Sequence, residues 1–124
     1  MHINMAADPR KANQDEYSVT TDFSGEKGDA LFAVYDGHGA DGHDAAAFCK
    51  KKLPAAVAKH VRQKRVKEYQ KHLTEEGKST KGSFDPALWP KLGIQDYEMA
   101  CLKGFLECNK AMFDDPKVSS CLYA

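Results

Sequence analysis

The chain has 124 residues, 42% of them hydrophobic and 29% charged, and its 18 basic and 18 acidic side chains leave no net charge at neutral pH. A balance of that kind provides no global field to draw the chain onto nucleic acid or a membrane surface, so partner choice rests on local features. The length fits one folding unit, no run of about 18 apolar residues is present to span a bilayer, and the opening Met1-His2-Ile3-Asn4-Met5 lacks the regions of a signal peptide.

The four cysteines, Cys49, Cys101, Cys108 and Cys121, form no CxxC pair. Without a secretory leader, this usage points to reduced thiols packed in a core and to the cytosol, with the nucleus the other compartment open to the chain.

In chain order, Ile3 to Ala7 reads as a short edge strand. The segment Asp8-Pro9-Arg10-Lys11-Ala12-Asn13-Gln14-Asp15-Glu16-Tyr17 then places a lone arginine ahead of an amide and a carboxylate. Tyr17 to Phe23 alternates as a strand, Ser24 to Asp29 is a turn whose glycines permit reversal, and Ala30 to Tyr35 is apolar enough for a buried core strand. A β-hairpin is the expected result.

The second strand ends abruptly in Asp36-Gly37-His38-Gly39-Ala40-Asp41-Gly42-His43. Its glycines allow backbone conformations or close approaches that a side chain would block, so chemistry is expected at Asp36 to His38. Two readings compete for this turn. Gly37 to Gly42 satisfies GxGxxG between a strand and a helix, but the dinucleotide fingerprint also wants an acidic residue about 20 positions on. Ala55 to Arg62 contains no acid, and Asp36 and Asp41 would put negative charge where a pyrophosphate lies. In the second reading Asp36 is a hard oxygen ligand for Mg²⁺ or Mn²⁺, and the acids become useful. A transition-metal cluster of His38 and His43 around Asp41 is the poorer drawing, because glycine-spaced residues of one turn rarely converge and His43 suits a first helical turn.

From Asp41 or Gly42 the chain becomes an amphipathic helix with Ala45, Cys49, Leu53, Ala56 and His60 as its apolar stripe, and Pro54 is expected to kink or split it. Lys59 to His72 carries Lys59, Arg62, Lys64, Arg65, Lys67 and Lys71 against the single acid Glu68. That run reads as a solvated helix extension ended by Gly77; the competing reading is a contact with nucleic acid or a phosphoprotein, for which Tyr69 is the one aromatic able to stack a base. A polar loop follows, and Phe84, Leu88 and Trp89 fold a connector back onto the body. Ile94 to about Phe113 is a second helix whose stripe is Ile94, Tyr97, Cys101, Phe105, Cys108 and Met112, expected to pack on the first, with Asp114-Asp115-Pro116 as its terminus.

An arginine five residues before Asp15, then a strand, a turn, and a second strand closing in Asp36-Gly37-His38-Gly39, resembles the N-terminal part of the metal-dependent serine/threonine protein phosphatases of type 2C. The resemblance runs from about Asp8 to Leu53, and Asn13-Gln14-Asp15 with Tyr35-Asp36-Gly37-His38-Gly39 carries it. It implies an α+β fold, part of an α-β-β-α layered sandwich with a β-hairpin followed by two long antiparallel helices. It further implies that Asp36 bridges two Mg²⁺ or Mn²⁺ ions and that the Gly37 carbonyl ligates one of them. Asp15 would reach the metal through bound water, Arg10 would hold the substrate phosphate, and His38 would protonate the leaving serine or threonine oxygen. Gln14 stands where many members have glutamate. The reaction implied is attack on phosphorus by metal-activated hydroxide, and the partners implied are phosphorylated proteins, with neither nucleic acid nor membrane among them.

The family's catalytic domain is well over twice this length and supplies further metal-binding aspartates from its C-terminal half. None of the acids after Asp44 stands in a setting that matches them, so the chain reads as a partial domain. Two functional classes follow: the N-terminal portion of a phosphoserine/phosphothreonine phosphatase, inactive by itself, or a non-catalytic phosphatase-like chain that binds a partner without turning it over.

Overall fold

A computed structural model describes residues 13–79, 81–116 and 118; the expected strand at Ile3 to Ala7 lies outside them. Strand β1 (Glu16–Thr21) pairs antiparallel with β2 (Ala30–Tyr35), with Tyr17 opposite Val34 and Val19 opposite Phe32. The reversal between them is fixed by Asp22, whose carbonyl accepts from the Gly25 amide at 2.9 Å and whose Oδ1 accepts from the Gly28 amide at 2.8 Å.

Helix α1 (Gly42–Glu75) and helix α2 (Ile94–Asp114) follow, joined by a single 3-10 turn at Pro86–Leu88. The architecture is α+β: a two-stranded antiparallel sheet, then two long helices. Contacts of Cys49 with Met112, Val57 with Gly104 and Arg65 with Tyr97 run in opposite directions along the two helices, so they are antiparallel as expected.

Helix ends follow local chemistry. Gly77, at φ +68°, ends α1 in the left-handed conformation that glycine adopts at little cost, and the Lys78 amide closes onto the Leu73 carbonyl at 2.8 Å. At the start of α2 the Asp96 carboxylate accepts from the Gly93 amide at 2.9 Å, and its negative charge suits a helix N-terminus. Pro54 does not split α1, which runs through it as one 34-residue element. The carbonyl deprived of a donor belongs to Lys50, an exposed residue, where solvent can take the place of the lost bond. The buried neighbours Leu53 and Val57 hold the helix to its partner across the proline.

Both helix stripes are met in part: Leu53 and Cys108 are buried and Cys49, Tyr97 and Cys101 pack against the core, while the remaining buried positions are shifted from the expected ones. On α1 the buried positions are Gly42, Ala46, Leu53, Val57, Ala58, Val61, Arg65 and Leu73, while Ala45, Ala56 and His60 are half-buried beside them. On α2 they are Ala100, Gly104 and Cys108, while Phe105 is 58% exposed and Ile94 76%. Small residues win the interface because the helices approach closely. A Cβ on Gly104 would lie 2.6 Å from Val57 Cγ2 and 3.0 Å from the Val57 backbone nitrogen. The expected buried strand is also corrected. In β2 only alternate residues face α1, and Phe32 and Val34 are exposed along with Val19 and Tyr17 of β1. Among the described residues no layer covers that side of the sheet.

Arg65 departs furthest from its expected place. Read from sequence it belongs to a solvated basic run; in the fold its side chain is buried, and it joins α1, α2 and the hairpin turn. Its Nη2 donates to Tyr97 Oη at 3.1 Å, its Nη1 lies 3.5 Å from Ser24 Oγ, and Asp29 stands 3.7 Å away as counter-charge. Both hydroxyls in turn donate to Asp29, Ser24 at 2.6 Å and Tyr97 at 3.0 Å. Burial, with the Asp29 hydrogen bond second, raises the Tyr97 phenol above its ordinary value. The connector folds back as expected: Phe84 and Trp89 pack on Tyr69 at 5.4 and 5.5 Å between ring centres, and the Asp85 amide donates to Tyr69 Oη. Tyr69 is thereby committed to the fold.

Two outcomes follow from the helix interface. Gly104→Ala should destabilise the chain, because overpacking costs about 1–3 kcal/mol while alanine returns about 1 kcal/mol of helix propensity. The obstructing atoms include backbone, so Val57→Ala in the same chain should restore only part of the loss; urea unfolding of the three variants measures it, and an unchanged midpoint in Gly104→Ala contradicts the close approach. Burial, with the neighbouring Cys49 second, pushes the Cys108 thiol up to about 11. Cys108 should therefore resist iodoacetamide at pH 8, when Cys101 reacts, and become labelled on unfolding. The sign is that of a group neutral in the fold, so this contribution to stability is present below the thiol's unfolded value and lost as pH rises toward 11. Site-resolved mass spectrometry reads the labelling, and Cys108 labelled as fast as Cys101 in the folded chain refutes it.

Candidate active-site loop

The turn between β2 and α1 is built from three segments that meet at Gly37. Strand β2 delivers Asp36 past Tyr35, which is buried and hydrogen-bonded through its hydroxyl to Ser18 at 2.8 Å. The Gly37 amide donates to Asp15 Oδ1 at 3.2 Å, and the Asp15 amide is itself held by Asn13 Oδ1 at 3.0 Å. Gln14 Nε2 donates to the Gly39 carbonyl at 2.9 Å, so the segment before β1 grips the loop at two points. Helix α1 begins where the loop closes, the Ala45 amide reaching the Asp41 carbonyl at 3.0 Å.

Gly37 is required by space. A Cβ there would lie 2.5 Å from the carbonyl oxygens of both Gln14 and Gly42 and 3.1 Å from Ala46 Cβ. Gly39 is required by conformation, at φ +87°. The sequence expectation that these glycines serve close approach and unusual backbone is met at both.

Asp36 and His38 are both 81% exposed, with Nδ1 of the histidine 3.7 Å from Oδ1 of the aspartate. That separation is too long for a hydrogen bond and short enough for attraction when the imidazole is protonated. Of the residues singled out from sequence, Asp15, Asp36, Gly37 and His38 come together at this loop, and Arg10 lies outside the described residues. Gln14 is the residue that sequence reading undervalued. It stood only as a substitute for glutamate, yet its amide, unlike a carboxylate, can donate to Gly39.

As a cation site the loop has the right kind of donor and few of them. The Asp36 carboxylate and the Gly37 carbonyl are the hard oxygens that Mg²⁺ and Mn²⁺ take, while Asp15 already accepts from the Gly37 amide. Among the described residues no group of three or more His, Cys, Asp or Glu side chains converges on one point. The loop can therefore hold one side of a cation, with a single carboxylate against its two charges. Helix α1 and helix α2 are also too polar to cross a membrane.

Comparison with known proteins finds a partial likeness. A stretch of 56 residues, 45% of this chain, is 41% identical to an Arabidopsis thaliana protein described as "Probable protein phosphatase 2C 25", of which it covers 14%. The matched stretch thus spans a small part of that relative. No family model and no solved structure matches the chain. The likeness supports a relationship to type 2C phosphatases over part of the chain.

The spacing at Gly37 predicts that Gly37→Ala forces the segment at Gln14 away from the start of α1. Amide resonances of residues 14–16 and 37–42 should shift in a ¹⁵N spectrum while those of α2 stay in place. A Gly37→Ala spectrum unchanged at the loop would mean that the three-way contact does not form.

Proposed function

We propose that this chain carries the metal-facing loop of a serine/threonine protein phosphatase of the type 2C kind. The observation that bears most weight is the junction of Asp15, Asp36 and Gly37, a strand-loop-helix with its first amide held by a carboxylate, in a chain with partial likeness to such a phosphatase. In this reading Asp36 and the Gly37 carbonyl hold one side of a Mg²⁺ or Mn²⁺ site, and the cation supplies water activated for attack on phosphorus. Asp15 fixes the Gly37 peptide and orients water at the site, and Arg10 holds the phosphate with its two-pronged guanidinium. His38 gives a proton to the leaving serine or threonine oxygen, a task suited to an imidazole near neutral pH. Its side chain is exposed and has no short hydrogen bond to Asp36, so the ring is free to turn toward a substrate. Phosphorylated proteins are the substrates this chemistry serves.

A second reading rests on the scarcity of donors: with one free carboxylate at the loop and no converging group of three among the described residues, the chain is a non-catalytic phosphatase-like binder. One experiment separates the two. Titrating the ¹⁵N-labelled chain with Mn²⁺ should broaden the amides of residues 36–38 first, at millimolar concentration, and Asp36→Asn should abolish the effect. Absence of local broadening removes the loop from metal chemistry and leaves the binder. The chain by itself should turn over no aryl phosphate with millimolar Mn²⁺. Turnover that disappears with a chelator and in Asp36→Asn would show that this chain holds a complete centre.

A further inference from the structure

Away from the loop, the second half of α1 and the first half of α2 enclose a groove of about 870 Å³ that the proposed phosphatase chemistry does not use. Its walls are two helical stripes, Lys59, Gln63, Val66 and Gln70 on one side and Asp96, Met99 and Lys103 on the other, each stepping by three or four residues. The floor is apolar. Ala100 is buried at its base, and Met99 and Val66 stand 50% and 44% exposed above it, large surfaces for a position between two packed helices.

The rim is basic. Five cations and one carboxylate line the groove. Two of the cations are answered: Lys59 pairs with Glu107, and Lys64 lies 3.0 Å from Glu68 and 3.9 Å from Asp96. Arg62, Lys67 and Lys103 are exposed, and among the described residues none has an ion-pair partner. A chain with no net charge has thus gathered three unanswered cations around one apolar floor.

We infer that this groove docks an acidic amphipathic helix of a partner protein, its apolar stripe on Val66, Met99 and Ala100 and its carboxylates against Arg62, Lys67 and Lys103. Charge complementarity selects an acidic occupant. The floor selects an amphipathic one, because a purely ionic ligand would leave Met99 and Val66 in water. From Lys59 to Gln70 the groove is about 16 Å long, room for three helical turns with anchors at i, i+3 and i+7. Nucleic acid fits less well, since no aromatic side chain lines the groove to stack a base, and a phosphate backbone tracking the cations would leave the apolar floor in water. The groove begins about 25 Å along α1 from the Asp36 loop, so an occupant leaves that loop accessible.

The test is fluorescence anisotropy on the full 124-residue chain with a fluorescein-labelled 14-residue peptide, three leucines at i, i+3 and i+7 and glutamates on the flanking positions. Saturable binding is expected, weakened several-fold between 50 and 300 mM NaCl. It should fall tenfold or more in Arg62→Glu/Lys67→Glu/Lys103→Glu, fall similarly in Val66→Ser/Met99→Ser, and persist in the off-groove control Lys51→Glu/Lys71→Glu/Lys81→Glu. All of these are exposed positions, and circular dichroism verifies that the helices persist. The proposal is overturned if the peptide does not bind, if the groove triple variant binds as the control does, or if replacing the peptide's leucines by serine leaves affinity unchanged. A 20-nucleotide single strand that binds more tightly than the peptide through the same three cations would make the groove a nucleic-acid surface instead.

Discussion

The arrangement of the described chain depends on the Arg65 guanidinium and the Asp29 carboxylate that answers it. Removing a guanidinium from water costs several kcal/mol, and the fold meets that cost by indirect pairing. Ser24 and Tyr97 each lie between the cation and the anion, accepting from Arg65 and donating to Asp29. Hydroxyls polarised from both sides make stronger hydrogen bonds than isolated ones. The pairing is also incomplete, since Arg65 Nε has no partner. Three segments meet there, namely the hairpin turn, α1 and α2, so the network sets the tilt of the hairpin on the helices, which hydrophobic contact alone would leave loosely specified.

That tilt reaches the candidate site through β2. Tyr35 is buried at the far end of the hairpin from Asp29 and belongs to the core cluster with Ala46, Leu53 and Val57. Asp36 follows it directly. The strand is thus fastened at one end by a polar network and at the other by apolar packing, and the loop between Tyr35 and Gly42 has little freedom left in its backbone. Asp36 and His38 stand exposed on it, and a fixed backbone carrying an exposed carboxylate and an exposed imidazole is the arrangement expected where groups must meet a ligand from solution.

The parts of this fold legible in the sequence are those set by neighbours in the chain. Apolar Ala30 to Tyr35 followed by Asp36-Gly37-His38-Gly39 marks a strand, turn and helix because each choice is made locally, and Gly77 ends α1 for the same reason. The helix faces were less legible. Large side chains such as Phe105 and Ile94 draw the expected stripe toward themselves, whereas the observed interface, which shares Cys108 with it, follows Ala100 and Gly104, where bulk is least and backbones come closest. Nothing in the sequence of α2 says that its partner will be Val57. Arg65 was illegible for a related reason: in a run of six cations, the one that will be buried is chosen by Asp29 and Tyr97, 36 and 32 residues away. Among the candidate site residues, Asp15 meets the Asp36 loop through the Gly37 amide, and the grip of Gln14 on Gly39 required a three-dimensional contact to see.

The apolar side chains left exposed have the same origin. Tyr17, Val19, Phe32 and Val34 form two cross-strand pairs on the uncovered side of the hairpin, and Leu102, Leu106 and Phe113 lie on α2 away from α1. Exposed apolar surface of that extent is uncommon on a self-sufficient monomer and ordinarily meets another surface. The sheet face is the one whose covering would matter to chemistry. It is the back of the strand that presents Asp36, and a second layer laid against Phe32 and Val34 would end near the same edge. The helices pack on the opposite side, and among the described residues no group of three or more His, Cys, Asp or Glu side chains converges at the loop. The bare face of the hairpin and the exposed Asp36 carboxylate belong to one strand and its end, so a surface laid on Phe32 and Val34 would also approach the loop.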